Sequence, residues 1–185
     1  MKICITGNTT VGLSAALAKI YPTATFMSRT TGYDLTSLVG QTKCAITVLE
    51  HDVFINCAAL WKFNQTTLLD IVYKNCIDSD HSRHIISIGS TTDRVKNGKA
   101  WLYNAEKKAL RDYSNTLALG GVWGEGPKIS YVSVGTLSNN QTKHPDRLCM
   151  DIDVAASYIK WVIDQPRHIN INEISIDPMQ GMNWS

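Results

Sequence analysis

Short apolar runs alternate along the chain with longer stretches of mixed polarity, and a small or polar residue closes each run. Six runs read as buried strands: residues 2–6 (KICIT), 24–28 (ATFMS), 52–59 (DVFINCAA), 84–89 (HIISIG), 128–134 (KISYVSV) and 171–176 (INEISI). The stretches between them carry apolar residues three and four apart and predict helices over 15–20, 37–50, 66–78 and 100–119. Another helix opens at Asp153-Val154-Ala155. Gly120, Gly121, Gly124, Gly126 and Pro127 are expected to stop the longest helix. Residues 90–98 and 138–150 are polar and read as loops. Strand and helix in alternation predict an α/β fold, a doubly wound parallel sheet with helices on both faces, formed by residues 1–185 as one domain. In such sheets ligands bind beyond the carboxyl ends of the strands. Gly7, Ala59, Ser90 and Gly135 all fall at such ends.

Composition narrows the class. A chain of 185 residues with 44% hydrophobic residues can bury a substantial core. The net charge of +2, with no Lys/Arg stripe, excludes a nucleic-acid footprint. No apolar run approaches membrane-spanning length, and MKICITG enters a strand directly, unlike a cleavable signal. Five cysteines (Cys4, Cys44, Cys57, Cys76, Cys149) lack CxxC spacing and suit a reducing cytoplasm. The five histidines show no HxxxH pairing, so no metal is expected.

Three stretches carry chemistry. Residues 7–14 (GNTTVGLS) turn a strand into a helix N-terminus, where free N–H groups and the helix dipole face an anion; Gly7, Asn8, Thr9, Thr10, Gly12 and Leu13 are the candidate cradle. After the second strand come Ser28 and Arg29 with no acid beside them. An acid there would bind a ribose 2′-hydroxyl, whereas an arginine accommodates a 2′-phosphate. NADP(H) is therefore favoured, with NAD(H) still open and a merely solvated Arg29 the alternative. Finally, Tyr103 and Lys107 stand four apart in WLYNAEKKALRDYSN, on one helix face, with Ser90 thirteen residues upstream. Lys108 points the wrong way around the helix to serve Tyr103.

Ser90, Tyr103 and Lys107, in this order and setting, resemble the active site of the short-chain dehydrogenase/reductases, and the other segments extend the resemblance. TGNTTVGLS is similar to the family's TGxxxGxG turn, with one extra residue between Gly7 and Gly12 and Ser14 in place of the third glycine. GYDLT resembles the Asp-hydrophobic-Thr segment near the adenine, implying roles for Asp34 and Leu35, although the helix that usually precedes it is missing. That deletion implies a smaller sheet edge and a more exposed adenine pocket. NCAA (Asn56, Cys57, Ala58, Ala59) resembles the family's NNAG, in which the first Asn braces the sheet. Asn75 falls in the helix where the family often keeps an Asn whose backbone holds a relay water. Gly135-Thr136 is similar to the PGxxxT element, with Val134 replacing the Pro; Gly135 would approach the nicotinamide, and Thr136 or Thr142 would cap the phosphates. The stretch 150–179 resembles the closing helix and strand.

The resemblance implies a Rossmann-like fold and an NADP(H)-dependent oxidoreductase acting on a small-molecule carbonyl or alcohol. It also implies a homodimer or homotetramer packed through the helix of Tyr103, with which Ala105, Ala109 and Leu110 are compatible, though equally with plain core packing. Tyr103 would be the acid/base, Lys107 the tuning charge and ribose ligand, and Ser90 the hydroxyl that polarises the substrate. An ammonium roughly 4 Å from a phenol contributes on the order of 4 kcal/mol at intermediate dielectric. That would lower a free tyrosine, near 10, by up to ~3 pH units. The altered glycine turn, the missing helix and the short, polar segment 138–150, where such enzymes carry a substrate lid, also fit a second class, a nucleotide-binding regulator or scaffold that has lost turnover.

Overall fold

The computed structural model describes residues 1–79, 82–94 and 101–179. The end of the expected polar loop and Ala100, the expected helix start, lie outside the described residues. Among the described residues six strands form one parallel sheet: β1 Ile3–Thr6, β2 Thr25–Met27, β3 Val53–Asn56, β4 His84–Ile88, β5 Lys128–Val134 and β6 Glu173–Ile176, in the order β2-β1-β3-β4-β5-β6. Five α-helices connect them: α1 Gly12–Ile20, α2 Leu38–Val48, α3 Asn64–Ile77, α4 Leu102–Val122 and α5 Ile152–Ile163.

The alternation of side chains along each strand builds two cores, one on each face. Cys4, Phe54, Ile85, Ile129 and Tyr131 face α2, α3 and α4. Ile5, Ile55, Ile86, Val132 and Val134 face α1 and α5, where Leu17, Ala156, Ile159 and Val162 are buried. Fully burying each such aliphatic side chain is worth about 1.5–3 kcal/mol. The strand order reverses between β1 and β3, so the crevice at their carboxyl ends is the switch point where this fold class binds ligands.

Local chemistry sets the helix ends. The Ser37 hydroxyl accepts from Gly40 N at 3.1 Å to start α2, and the Asp151 carboxylate accepts from Asp153 N and Val154 N at 2.8 and 3.1 Å to start α5. Gly40 permits a close approach, because a Cβ there would lie 2.0 Å from the Asp34 carbonyl oxygen. Segment 32–36 thus packs closely against the start of α2, with only the 3₁₀ turn Arg29–Thr31 between it and β2.

One expectation needs correction. α4 continues through Gly120 and Gly121 to Val122 and turns at Gly124, whose φ is 78°. Gly120 and Gly121 serve packing, since their Cβ atoms would meet the Tyr73 hydroxyl at 3.0 Å and the Pro127 carbonyl at 2.6 Å. Of the two roles open to Leu110, the fold takes core packing against the sheet. Among the described residues no helix is long and apolar enough to cross a membrane.

Candidate active site

Ser90 lies two residues beyond β4, and the loop that carries it is tied down on two sides. Asp93 N donates to Ser90 O at 2.9 Å. The buried Asp93 carboxylate accepts from the Tyr131 hydroxyl at 2.8 Å and from Ser133 Oγ at 3.1 Å. Asn104 Nδ2, on the first turn of α4, donates to Thr92 O. Gly89 leaves room for this arrangement, because a Cβ would lie 1.9 Å from the Tyr131 hydroxyl oxygen.

Tyr103 and Lys107 stand one turn apart on α4, with Lys107 Nζ 5.5 Å from the Tyr103 ring centroid. The Ser90 hydroxyl is close enough to the phenol to favour its ionised form. Lys107 is buried. Its Nζ donates to Gln65 Oε1 at 2.6 Å and to Ile88 O at 3.2 Å. Gln65 Nε2 in turn donates to Asn56 O at 2.8 Å and to Ile88 O at 3.0 Å, while Asn56 Nδ2 donates to Gln65 O at 3.0 Å. One side chain at the start of α3 therefore ties together β3, β4 and the ammonium of α4.

Burial dominates the electrostatics. Desolvation lowers Lys107 from 10.5 to about 8, opposed in part by Cys57, Glu106 and Asp93. Desolvation also raises Tyr103 above its usual value; the Ser90 hydrogen bond opposes this, and Glu106 adds to it. This corrects the expected downward tuning by lysine, because the ammonium is held by Gln65 and Ile88 and does not hydrogen-bond the phenol oxygen.

Asn75 also needs correction. Its amide donates to Ile71 O, 2.8 Å away in its own helix. It lies ten residues along α3 from Gln65, roughly 15 Å at the helical rise. Gln65, which no sequence motif singled out, is the α3 residue that touches Lys107.

A cleft of about 160 Å³ opens at the switch point, lined by Gly7, Met27, Ser28, Arg29, Tyr33, Asp34, Leu35, Thr36, Ala58 and Leu60. It brings six of the expected cofactor residues together. Gly7 has a φ of 135°, and a Cβ there would lie 2.7 Å from Ser14. Ser14 Oγ donates to Asn8 O at 2.6 Å, so the serine closes the turn where the family has a glycine. Asn8 Oδ1 accepts from Thr10 N and Oγ1 at 2.8 and 2.7 Å, and Thr9 and Thr10 are exposed. The Leu13 side chain is buried with α1 and can offer the turn only its backbone. Thr6 Oγ1 accepts from Cys57 N and Ala58 N at 2.9 and 3.0 Å, pinning the end of β3 to β1.

Gly135 donates to Ile176 O at 2.8 Å, and a Cβ there would meet Asp177 and Pro178 at 2.7 Å. The segment 138–150 reaches the glycine turn through Asn139. Asn139 Nδ2 lies 3.8 Å from the position a Gly12 Cβ would take.

The loop from β3 to α3 covers the phenol. Lys62 and Phe63 adopt left-handed conformations, φ 60° and 59°, each costing roughly 1–2 kcal/mol. Lys62 N donates to Oε1 of the buried Glu106 at 2.6 Å, which holds the strained loop against α4.

No family model matches the chain. An uncharacterized oxidoreductase of Staphylococcus haemolyticus is 24% identical over 157 residues, covering 72% of this chain and 68% of that protein. Among solved structures, the closed form of a serine dehydrogenase complexed with NADP+ superposes with a TM-score of 0.76 at 14% identity, covering 100% of this chain and 99% of that one. A short chain dehydrogenase from Burkholderia cenocepacia in complex with NADP gives 0.75 at 13% identity, covering 95% and 89%. The fold is that of the short-chain dehydrogenases.

Proposed function

We propose that the chain is a short-chain dehydrogenase/reductase that uses NADP(H) to interconvert a small carbonyl compound and its alcohol. The observation that carries this reading is the convergence of Ser90, Tyr103 and Lys107 at the carboxyl edge of the sheet, beside the glycine-turn cleft. The relative's description as an oxidoreductase and the NADP in two structural neighbours support it.

The residues present fit a dinucleotide. Gly7 must lack a Cβ, so its backbone stays bare for close approach, and Arg29 lines the cleft beside Ser28. Gly7, Asn8, Thr9, Thr10 and Gly12 would hold the phosphates, with the Leu13 backbone. Ser28 and Arg29 would hold a 2′-phosphate, and Asp34 and Leu35 the adenine. The backbone of residues 56–59, Tyr103 and Lys107 would meet the ribose and nicotinamide half, and Gly135 and Thr136 would close it. When bound, the nicotinamide supplies or accepts the hydride.

The protein's own groups manage the proton. Ser90 donates a hydrogen bond to the substrate oxygen, and Tyr103 gives that oxygen its proton as the carbonyl is reduced. Because burial raises the phenol, it is protonated at neutral pH, the state a donor requires. Lys107, oriented by Gln65, stabilises the phenolate left behind. A homodimer or homotetramer built on the outward side of α4, which carries Ala105, belongs to the same proposal.

The test is a screen of carbonyl compounds for oxidation of NADPH, followed by Tyr103→Phe on any substrate found. Turnover should fall ~10²–10⁴-fold while cofactor affinity survives. A Tyr103→Phe protein working at the wild-type rate would refute the assignment.

A further inference from the structure

Two indoles flank Tyr103. The Trp61 ring centroid lies 5.4 Å from that of Tyr103, with planes at 52°, and the Trp101 centroid lies 5.5 Å away, with planes at 42°. Tilted contacts of this kind cover part of the phenol and leave much of each indole open: Trp61 is 61% and Trp101 49% exposed. Phe63, on the same loop as Trp61, is 38% exposed. Large apolar rings gathered in water at one point of the surface call for an explanation.

The loop that presents Trp61 is also strained. Lys62 and Phe63 are left-handed without being glycine. The backbone is held there from α4, through Lys62 N to Glu106 Oε1 at 2.6 Å, and from α3, through Asn64 Nδ2 to Trp61 O at 2.6 Å. Strain maintained by a buried carboxylate one residue from Lys107 fixes where Trp61 stands relative to the phenol. Arg94, in the Ser90 loop, is paired with Asp177 at 2.6 Å, so this guanidinium is committed elsewhere than to a substrate anion.

From this the geometry points to an aromatic clamp: Trp61 and Trp101 receive the flat apolar group attached to the reacting carbonyl, and the substrates are aryl aldehydes or ketones and their alcohols. This inference rests on Tyr103 being the proton donor. The rings pack directly on that phenol, so a group bonded to the oxygen it protonates has to lie among them. Stacked or edge-on aromatic contacts add specificity beyond area burial.

Benzaldehyde and cyclohexanecarbaldehyde, similar in bulk but flat in one case only, separate the possibilities. With the full chain and saturating NADPH, kcat/KM for benzaldehyde should exceed that for cyclohexanecarbaldehyde by roughly tenfold. Trp61→Leu should raise KM for benzaldehyde by a similar factor and narrow the difference between the aldehydes. Because Trp61 is exposed, a melting curve suffices to show that this variant is folded. Equal kcat/KM for the two aldehydes, or an unaltered benzaldehyde KM in Trp61→Leu, would overturn the clamp while leaving Tyr103 as donor.

Should neither aldehyde be reduced while another carbonyl compound of the screen is, the clamp is overturned and Tyr103 stays the donor; should no carbonyl compound be reduced, binding of the corresponding alcohols decides the clamp. Saturation-transfer NMR with NADP+ present should detect benzyl alcohol more strongly than cyclohexylmethanol, and the difference should disappear in Trp61→Leu. Absence of that difference overturns the inference. So does a change of sedimentation coefficient in Trp61→Leu, which would mean that the indoles are covered by a second copy of the chain.

Discussion

Lys107 puts the electrostatic argument to its most direct test. Its ammonium is buried, and the two acceptors it reaches, Gln65 Oε1 and Ile88 O, are both uncharged. Desolvation lowers its pKa from 10.5 to about 8 in the folded protein. Between those values the unfolded chain binds a proton that the native state has released, so stability rises with pH across that window. Below about pH 8 both states are protonated and the contribution is flat, with the native state carrying its full penalty. Integrating the difference from pH 7 to pH 10 gives about 2–3 kcal/mol. Lys107→Met removes the titration while keeping most of the stem. Urea unfolding of both proteins at pH 7, 8, 9 and 10 should show the wild type gaining that amount relative to the variant, nearly all of it above pH 8. A wild-type advantage that stays constant or shrinks as pH rises would mean that the ammonium is not desolvated, and the Gln65 arrangement would be wrong. The same variant should lose turnover and NADPH affinity together.

Four further outcomes follow from individual contacts. Gln65→Met removes the neutral acceptor at 2.6 Å, so Lys107 should lose its proton at lower pH and NADPH affinity should weaken on the alkaline side, as read by fluorescence titration between pH 6 and 9; an unaltered pH dependence refutes that role. Burial raises Tyr103, so alcohol oxidation, which needs the phenolate, should climb with pH throughout the neutral range while carbonyl reduction stays level; a group titrating near neutrality that vanishes in Tyr103→Phe would contradict this. Gly40→Ala, favourable by about 1 kcal/mol on helix propensity alone, should instead destabilise by roughly 1–3 kcal/mol and weaken NADPH, because its Cβ would displace the Asp34 carbonyl; urea unfolding gives the sign. Calorimetry on Arg29→Ala should show NADPH affinity falling toward that of NADH, and a wild type with equal affinities would exclude the 2′-phosphate role.

The elements were legible in the sequence because their signals are local. An apolar run such as HIISI needs only its own residues to prefer a buried strand, and Tyr103 and Lys107 share a face because of helical geometry alone. The turn from β1 to α1 likewise follows from the short spacing of its glycines and small residues. What the tertiary structure decided lies across long separations. Gln65 and Lys107 are 42 residues apart, and nothing in their own helices announces the contact; Asn75 fitted the pattern but lies at the wrong end of α3. Gly120 and Gly121 carry the signature of a helix stop, yet in place they are the thin surface that lets α4 pass Tyr73 and Pro127. Tyr103 shows the same division. Its position was local, but the sign of its pKa shift depends on how much water the fold removes and where the ammonium is held, and desolvation outweighs an opposing hydrogen bond only once the chain has closed around the phenol.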